Sequence, residues 1–144
     1  MTFVAPDWDI RDELPGGEPA LCVLLEDFYT RLYEDLLVGF FFLPFDQASL
    51  VAHQVDYIVA RLGGDPTRYI GKPMRAAHAA HPILGAHFDR RHQLLAETLA
   101  DHNVPAHVQR AWLDLDKALR PLIVRTGAQA RDAILDPKND KTPG

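Results

Sequence analysis

Seven histidines and a single cysteine in 144 residues raise the question of a metal. Structural zinc takes four thiolate or imidazole ligands at tight spacing, and one cysteine excludes the thiolate types. His78 and His81 stand three apart, but His81 precedes a proline and so ends a helix. His87 and His92 are five apart, which on a helix puts them on different faces. No Glu-x-x-His repeat of the di-iron bundles is present. Nucleophilic hydrolysis has no support: Cys22 stands in the apolar stretch 20–25, and no serine sits in a Gly-x-Ser-x-Gly turn. Neither a dinucleotide fingerprint nor a phosphate loop occurs. What remains is one imidazole acting with polar donors in an apolar helical frame.

That frame is readable. No strand-like alternation is bounded by turn residues, so the fold class is all-α. Residues 1–17 look irregular, with a first turn around Trp8 to Leu14. Gly16-Gly17 breaks the chain and Pro19 starts a helix to about Glu34, with Leu21, Leu24, Leu25, Phe28 and Leu32 at helical spacing. A connector over 35–44 carries Phe40-Phe41-Phe42. Asp46 caps a helix to Leu62 whose stripe is Val51, Val55, Ile58 and Leu62, and Gly63-Gly64 stops it. A loop over 65–72 follows. Pro73 opens a short helix that Pro82 ends near Ala80. A long helix runs from about Gly85 to His102, stopped at Asn103. The last runs from Pro105 toward Arg125, kinked at Pro121. Residues 136–144 read as a polar, disordered tail. There is no internal repeat and no linker, so residues 1–144 are expected to form one domain with its core over about 13–130.

Composition agrees with this reading. The chain is 47% hydrophobic and 24% charged, as a globular domain should be. The net charge of −5, with scattered basic residues, argues against a nucleic-acid partner. No run approaches the ~18 apolar residues of a membrane helix, so no membrane partner is expected. A lone cysteine suits a reducing compartment, and a cytoplasmic place is expected. Cys22 itself reads as a small buried hydrophobe.

Several motifs, in order and near-correct spacing, resemble one family. Glu26-Asp27-Phe28-Tyr29 followed by Phe40-Phe41-Phe42 is similar to the second helix and connector of group I truncated haemoglobins. His53-Gln54 stands at the matching place on the distal helix. Leu62-Gly63-Gly64, Tyr69, Gly71, Pro73-Met74-Arg75-Ala76-Ala77-His78, Ile83 and His87-Phe88-Asp89 follow. Gly16-Gly17 and Gly63-Gly64 look like the family's two glycine pairs. The likeness spans roughly residues 13 to 125.

The resemblance implies a two-over-two helical sandwich with a shortened first helix and a short proximal helix. It implies haem b as cofactor, with His78 as the proximal iron ligand. Tyr29 and Gln54 would be the distal donors, and Leu50, one turn before Gln54, would close the same pocket. Both polar groups should find partners, being at or near the core. Phe42 is expected to wedge against the haem face, with Phe41 as its competitor. Tyr57 and Ile58 would line the pocket or the route to it. Tyr69 and Arg75 are the expected propionate contacts, and Met74, Ile83 and Phe88 complete the cofactor set. Family members with a His-Gln pair use the histidine as a second iron ligand, which would make His53 a distal ligand. At ~100° per residue, however, His53 points ~150° from the centre of the apolar stripe, a face that is usually solvated. Both readings of His53 stand at this point. Arg90-Arg91-His92 is more polar than the family leads one to expect, and a surface face is expected to absorb it.

The implied function is binding of oxygen, nitric oxide or another diatomic ligand, with nitric oxide dioxygenation supported by an unidentified reductase. Bis-histidyl electron transfer or redox sensing through His78 and His53 is the alternative. A haem-free structural or signalling domain is the third reading, against which Tyr29, Gln54 and His78 together count.

Overall fold

Asp9 opens the first element by accepting the Arg11 N–H at 2.9 Å, and one helical turn follows, α1 (Ile10–Glu13). Gly16 and Gly17 then carry the chain through φ of 95° and 64°, left-handed angles that a side chain disfavours. α2 (Gly17–Glu34) starts two residues ahead of Pro19, which stands in the first turn, where an N–H has no intrahelical acceptor. Its buried stripe is Leu21, Leu24, Leu25, Phe28, Tyr29 and Leu32. The computed structural model describes residues 3–69 and 83–124.

Asp35 ends α2 and organises the connector. Its Oδ2 accepts from the Leu37 and Val38 N–H groups at 3.0 and 3.2 Å, so the chain reverses without loose backbone. A 3-10 turn over Gly39–Phe41 follows. Gly39 is needed there because a Cβ would lie 2.6 Å from the Tyr33 carbonyl oxygen. The Asp46 carboxylate then caps α3 (Gln47–Leu62) by accepting from Ser49 N–H at 3.0 Å. The expected stripe of Val51, Val55, Ile58 and Leu62 is buried, as are Leu50, Tyr57 and Val59. Gly64 has φ 63°.

The loop after α3 holds a 3-10 turn, Pro66–Arg68, fixed by Arg68, which reaches Glu18 and Asp56 at 3.0 Å each. α4 (Gly85–Asp101) ends before Asn103, which adopts φ 54°. α5 (Ala106–Ala118) and α6 (Arg120–Ile123) replace the single kinked helix expected. Pro121 has no N–H to offer the Lys117 carbonyl, so the helix breaks at Leu119, ahead of the proline. Among the described residues the one bridge between extended segments joins Ile83 and Val124.

α2 packs chiefly on α3 and on α4, and α4 packs on α5. The buried side chains form one cluster, with Trp112 and Phe28 its largest fully buried members. Burying each such side chain contributes roughly 1.5–3 kcal/mol. Cys22 corrects an expectation: it is half-buried, its Sγ 3.7 Å from Glu26 Oε1. No described helix is long and apolar enough to cross a membrane. The expected short helix over 73–80 and the tail over 136–144 lie outside the described residues.

Candidate functional site

Tyr29 stands on α2 and Gln54 on α3, two helices that pack on each other. Tyr29 stands on the buried stripe of α2, only 7% exposed. Its ring contacts Phe28 at 5.5 Å and Phe42 at 6.1 Å, both at steep angles. The apolar rings hold it in place and offer its hydroxyl nothing polar. Burial pushes the Tyr29 pKa up to about 12, although the nearby Arg91 charge pulls the other way. The hydroxyl therefore stays protonated and able to donate. Among the described residues it makes no hydrogen bond, and neither does the amide of half-buried Gln54. Both were expected to find partners. A buried hydroxyl left unpaired costs about 1–3 kcal/mol, so an arrangement of this kind calls for an acceptor that the protein does not supply.

Tyr29 shares one buried apolar cluster with side chains of α3. Leu50 and Ile58 are buried on α3. Phe42 leans on Tyr33 at 5.7 Å, and the Tyr33 hydroxyl donates to the Phe45 carbonyl at 2.7 Å, which pins the connector. Phe41 turns elsewhere: its ring lies 4.1 Å from Phe40 and 4.9 Å from His87. Of the two, Phe42 is the ring beside Tyr29. His87 in turn accepts the Leu84 N–H on Nδ1 at 3.2 Å, so the connector and the start of α4 are joined through an imidazole. Tyr57 is buried and meets Tyr69 edge to face at 5.1 Å, and burial pushes the Tyr57 pKa up to about 12. Ile83 is half-buried, and Phe88 is buried with its ring stacked on His92 at 6.4 Å.

His53 is exposed on α3. It lies off the buried stripe of α3, on the solvated side. His78, Met74 and Arg75 lie outside the described residues.

The polar run at the start of α4 is not a surface face. Arg90 pairs with Asp35 at 2.7 Å, and the Asp35 side chain is itself buried. The Arg91 side chain is only 19% exposed. Its Nη1 donates to Asp116 Oδ1, and its guanidinium lies over the Phe28 ring at 5.4 Å. His92 Nδ1 meets the other Asp116 oxygen at 2.8 Å. Asp116 is buried on α5, and burial alone would raise its pKa. The Arg91 charge and the two hydrogen bonds outweigh that and hold the carboxyl below its ordinary range. A buried carboxylate needs such partners on both oxygens, and the sequence supplies them from adjacent positions on α4.

A family model described as bacterial-like globin matches residues 12–124. The group 1 truncated hemoglobin GlbN of Mycolicibacterium paratuberculosis is 34% identical over 108 residues, which is 75% of this chain and 79% of that protein. The chain belongs to the truncated haemoglobin family of bacterial-like globins. The GlbN of Synechocystis sp. is also 34% identical, over 62% of this chain and 75% of its own length. Among solved structures, the ferric truncated hemoglobin of Tetrahymena pyriformis superposes with a TM-score of 0.72 at 29% identity, over 81% of this chain and 98% of that one. The 2/2 hemoglobin of Synechococcus sp. PCC 7002, solved with covalently attached heme, gives a TM-score of 0.60 at 28% identity, over 89% and 99%. The two-over-two globin fold follows, and membership implies haem-based ligand binding.

For this truncated globin, sequence reasoning missed the buried Arg91–Asp116–His92 group. A signal was available. Arg91 stands three residues after Phe88 and four before Leu95, on the buried stripe of α4, and Asp116 stands four after buried Trp112. Charges on an apolar stripe of two packed helices are expected to find each other.

Proposed function

We propose that this globin binds haem b between α3 and the segment carrying His78, and holds oxygen, nitric oxide or a similar diatomic ligand on the side faced by Tyr29 and Gln54. One observation carries the reading: the Tyr29 hydroxyl is buried, protonated and without an acceptor among the described residues. Haem, when bound, would supply an iron centre able to take diatomic ligands, and His78 would hold it.

The chain's own residues then have defined tasks. His78 is the proximal ligand in this reading. Tyr29 donates a hydrogen bond to the ligand atom on which negative charge collects, and it does so from fixed rings, so no reorganisation is needed. Gln54, two helical turns from Asp46, supplies a second donor from α3. Phe42 would pack against the cofactor beside Tyr29, and Leu50 and Ile58 would keep water out. Tyr57, Ile83, Phe88, Phe41 and Met74 would contact the bound cofactor, and Tyr69 and Arg75 would meet its propionates. A fixed donor slows oxygen release, which gives nitric oxide time to arrive. Nitric oxide and oxygen then yield nitrate with the uptake of one electron, which an external reductase must supply. Cys22 is a free thiol, and a reducing compartment such as the cytoplasm suits it.

The test is an absorption spectrum of the purified protein, oxidised and then reduced. A haem Soret band that disappears or shifts in His78→Ala supports the assignment. Spectra identical in both proteins would refute His78, and a wild-type protein that takes up no haem would refute the function.

A further inference from the structure

Two sets of buried donors in this globin lack acceptors among the described residues, and both adjoin the Phe28 ring. The first is the Tyr29 hydroxyl. The second is Arg91. Asp116 accepts from Nη1 alone, and among the described residues the Nε and Nη2 donors of the guanidinium make no hydrogen bond. The side chain is nevertheless largely removed from water. It crosses the face of Phe28, the ring that contacts Tyr29 at 5.5 Å. Its positive charge is felt at both the Tyr29 and the Tyr57 hydroxyls. A guanidinium carries five N–H groups in a rigid fork and no acceptor. Left with most of that fork unmet in an apolar interior, it is poised for something negative.

The surrounding charges sharpen the point. Asp116 faces Arg91 from α5, and His92, on α4 itself, occupies the second Asp116 oxygen. The carboxylate is therefore engaged on both sides by this arginine and this imidazole. It anchors the guanidinium at one edge and leaves the other edge without an acceptor among the described residues. A residue that served only to neutralise Asp116 would be expected to use both its nitrogens, as Arg11 does with Asp9, where Nε and Nη2 both donate to the carboxylate.

We propose that Arg91 is a specificity-determining residue of the ligand pocket, a buried cationic fork that favours anionic ligands over neutral ones. Together with Tyr29 it provides donors from two different helices to an anion of two or three atoms. This rests on the haem reading above, and it concerns which ligand the loaded protein prefers. The same fork chemistry would suit a porphyrin carboxylate, and the test separates the two sources.

The experiment titrates the ferric haem protein with azide and the ferrous protein with carbon monoxide, following the Soret band. Arg91→Gln should weaken azide binding by about tenfold, the scale of one charge-assisted hydrogen bond, with carbon monoxide affinity changed less than about threefold. Arg91→Lys keeps the charge and the Asp116 partner. It guards against misfolding, but it lacks the free edge of the fork, so its azide affinity should fall between those of the wild type and Arg91→Gln. Unchanged azide affinity in a haem-loaded Arg91→Gln protein overturns the proposal while leaving the haem function intact. Equal weakening of azide and carbon monoxide also overturns it, since that is a structural effect. A third arm reconstitutes both proteins with haem dimethyl ester, which lacks free carboxylates. If Arg91→Gln loosens ordinary haem but not the ester, and leaves azide unaffected, the fork belongs to a propionate and the proposal fails. A wild-type protein with no Soret band would remove the haem reading, and this inference with it.

Discussion

Tyr29 and Phe42 meet edge to face, 6.1 Å between ring centres and 86° between planes, so the buried face of α2 is closed by the connector that leaves it. Phe42 is held from its other side by Tyr33, which is tied to the Phe45 carbonyl. The position of the Tyr29 hydroxyl is thus set by ring packing alone, and its chemistry can be removed without disturbing its place.

Tyr29→Phe keeps every ring contact and deletes only the unpartnered oxygen. Thermal stability should hold or rise by up to about 1 kcal/mol, because an unsatisfied buried polar group is lost. Oxygen dissociation from the reduced protein should accelerate at least about tenfold, the value of a hydrogen bond to a charged acceptor. Stopped-flow displacement by carbon monoxide measures this. An unaltered off-rate would take Tyr29 out of the ligand site.

Gly39 places the same connector from beneath. A Cβ there would come within 2.6 Å of the Tyr33 carbonyl oxygen and 3.3 Å of the Leu32 carbonyl oxygen, and backbone gives way less readily than a side chain. Gly39→Ala should cost about 1–3 kcal/mol, typical of overpacking, and should move Phe42 relative to Tyr29. Urea denaturation reads the first effect. The second should appear as faster oxygen release in the same direction as Tyr29→Phe. A fully stable variant with an unchanged off-rate would mean that the connector does not set the pocket.

His53 allows a sharp test because it is exposed. His53→Ala should leave the absorption bands of the reduced, unliganded protein unchanged. Loss of a sharp, split band pair in the variant would show that α3 turns to bring this imidazole to iron.

How much of this the sequence disclosed depends on whether a feature is local. The bounds of α2 and α3 follow from the Asp46 cap, Gly16, Gly63 and stripes such as Val51, Val55, Ile58 and Leu62, all interactions within a few residues. The burial of Tyr29 and the half-burial of Gln54 were legible through periodicity. What the sequence did not yield was pairing across distance. Arg91 and Asp116 are 25 residues apart, and a charge on a helix is solvated more often than not. The break at Leu119 likewise depends on where Pro121 meets a particular carbonyl. Phe41 and Phe42 are neighbours of one type, and only the turn at Gly39 decides which of them reaches Tyr29.

The buried pair also controls stability, with a sign that can be worked out. Asp116→Ala leaves Arg91 buried without its counter-charge and should cost about 3–5 kcal/mol. Replacing both by leucine removes the unpaired charge, and the double variant should recover most of that loss, as a thermodynamic cycle on thermal or urea midpoints would show. If the double variant were as unstable as the single one, the loss would not come from the stranded Arg91 charge.

Acid should dissect the same group. Burial raises the Asp116 pKa, but Arg91 and His92 pull it down by more, so its folded value lies below the ordinary carboxyl value of 3.8. A group whose pKa is depressed by folding contributes stability that is fully present above its unfolded pKa and is lost as pH falls through the folded one. Asp9, Glu18, Asp27 and Asp35 shift in the same direction through Arg11, Arg68, Arg31 and Arg90. Their arginines are about a quarter to a third exposed, so water and salt weaken those pairs. Asp116, at 4% exposure and bonded on both oxygens, should therefore account for the largest share of the acid sensitivity. Thermal midpoints of the haem-free protein should be nearly flat from pH 7 to about pH 5, then fall steeply below about pH 4. The Arg91→Leu/Asp116→Leu double variant should show a shallower fall over the same range. An equal slope in the two proteins would move the acid-sensitive group from this buried cluster to the surface carboxylates.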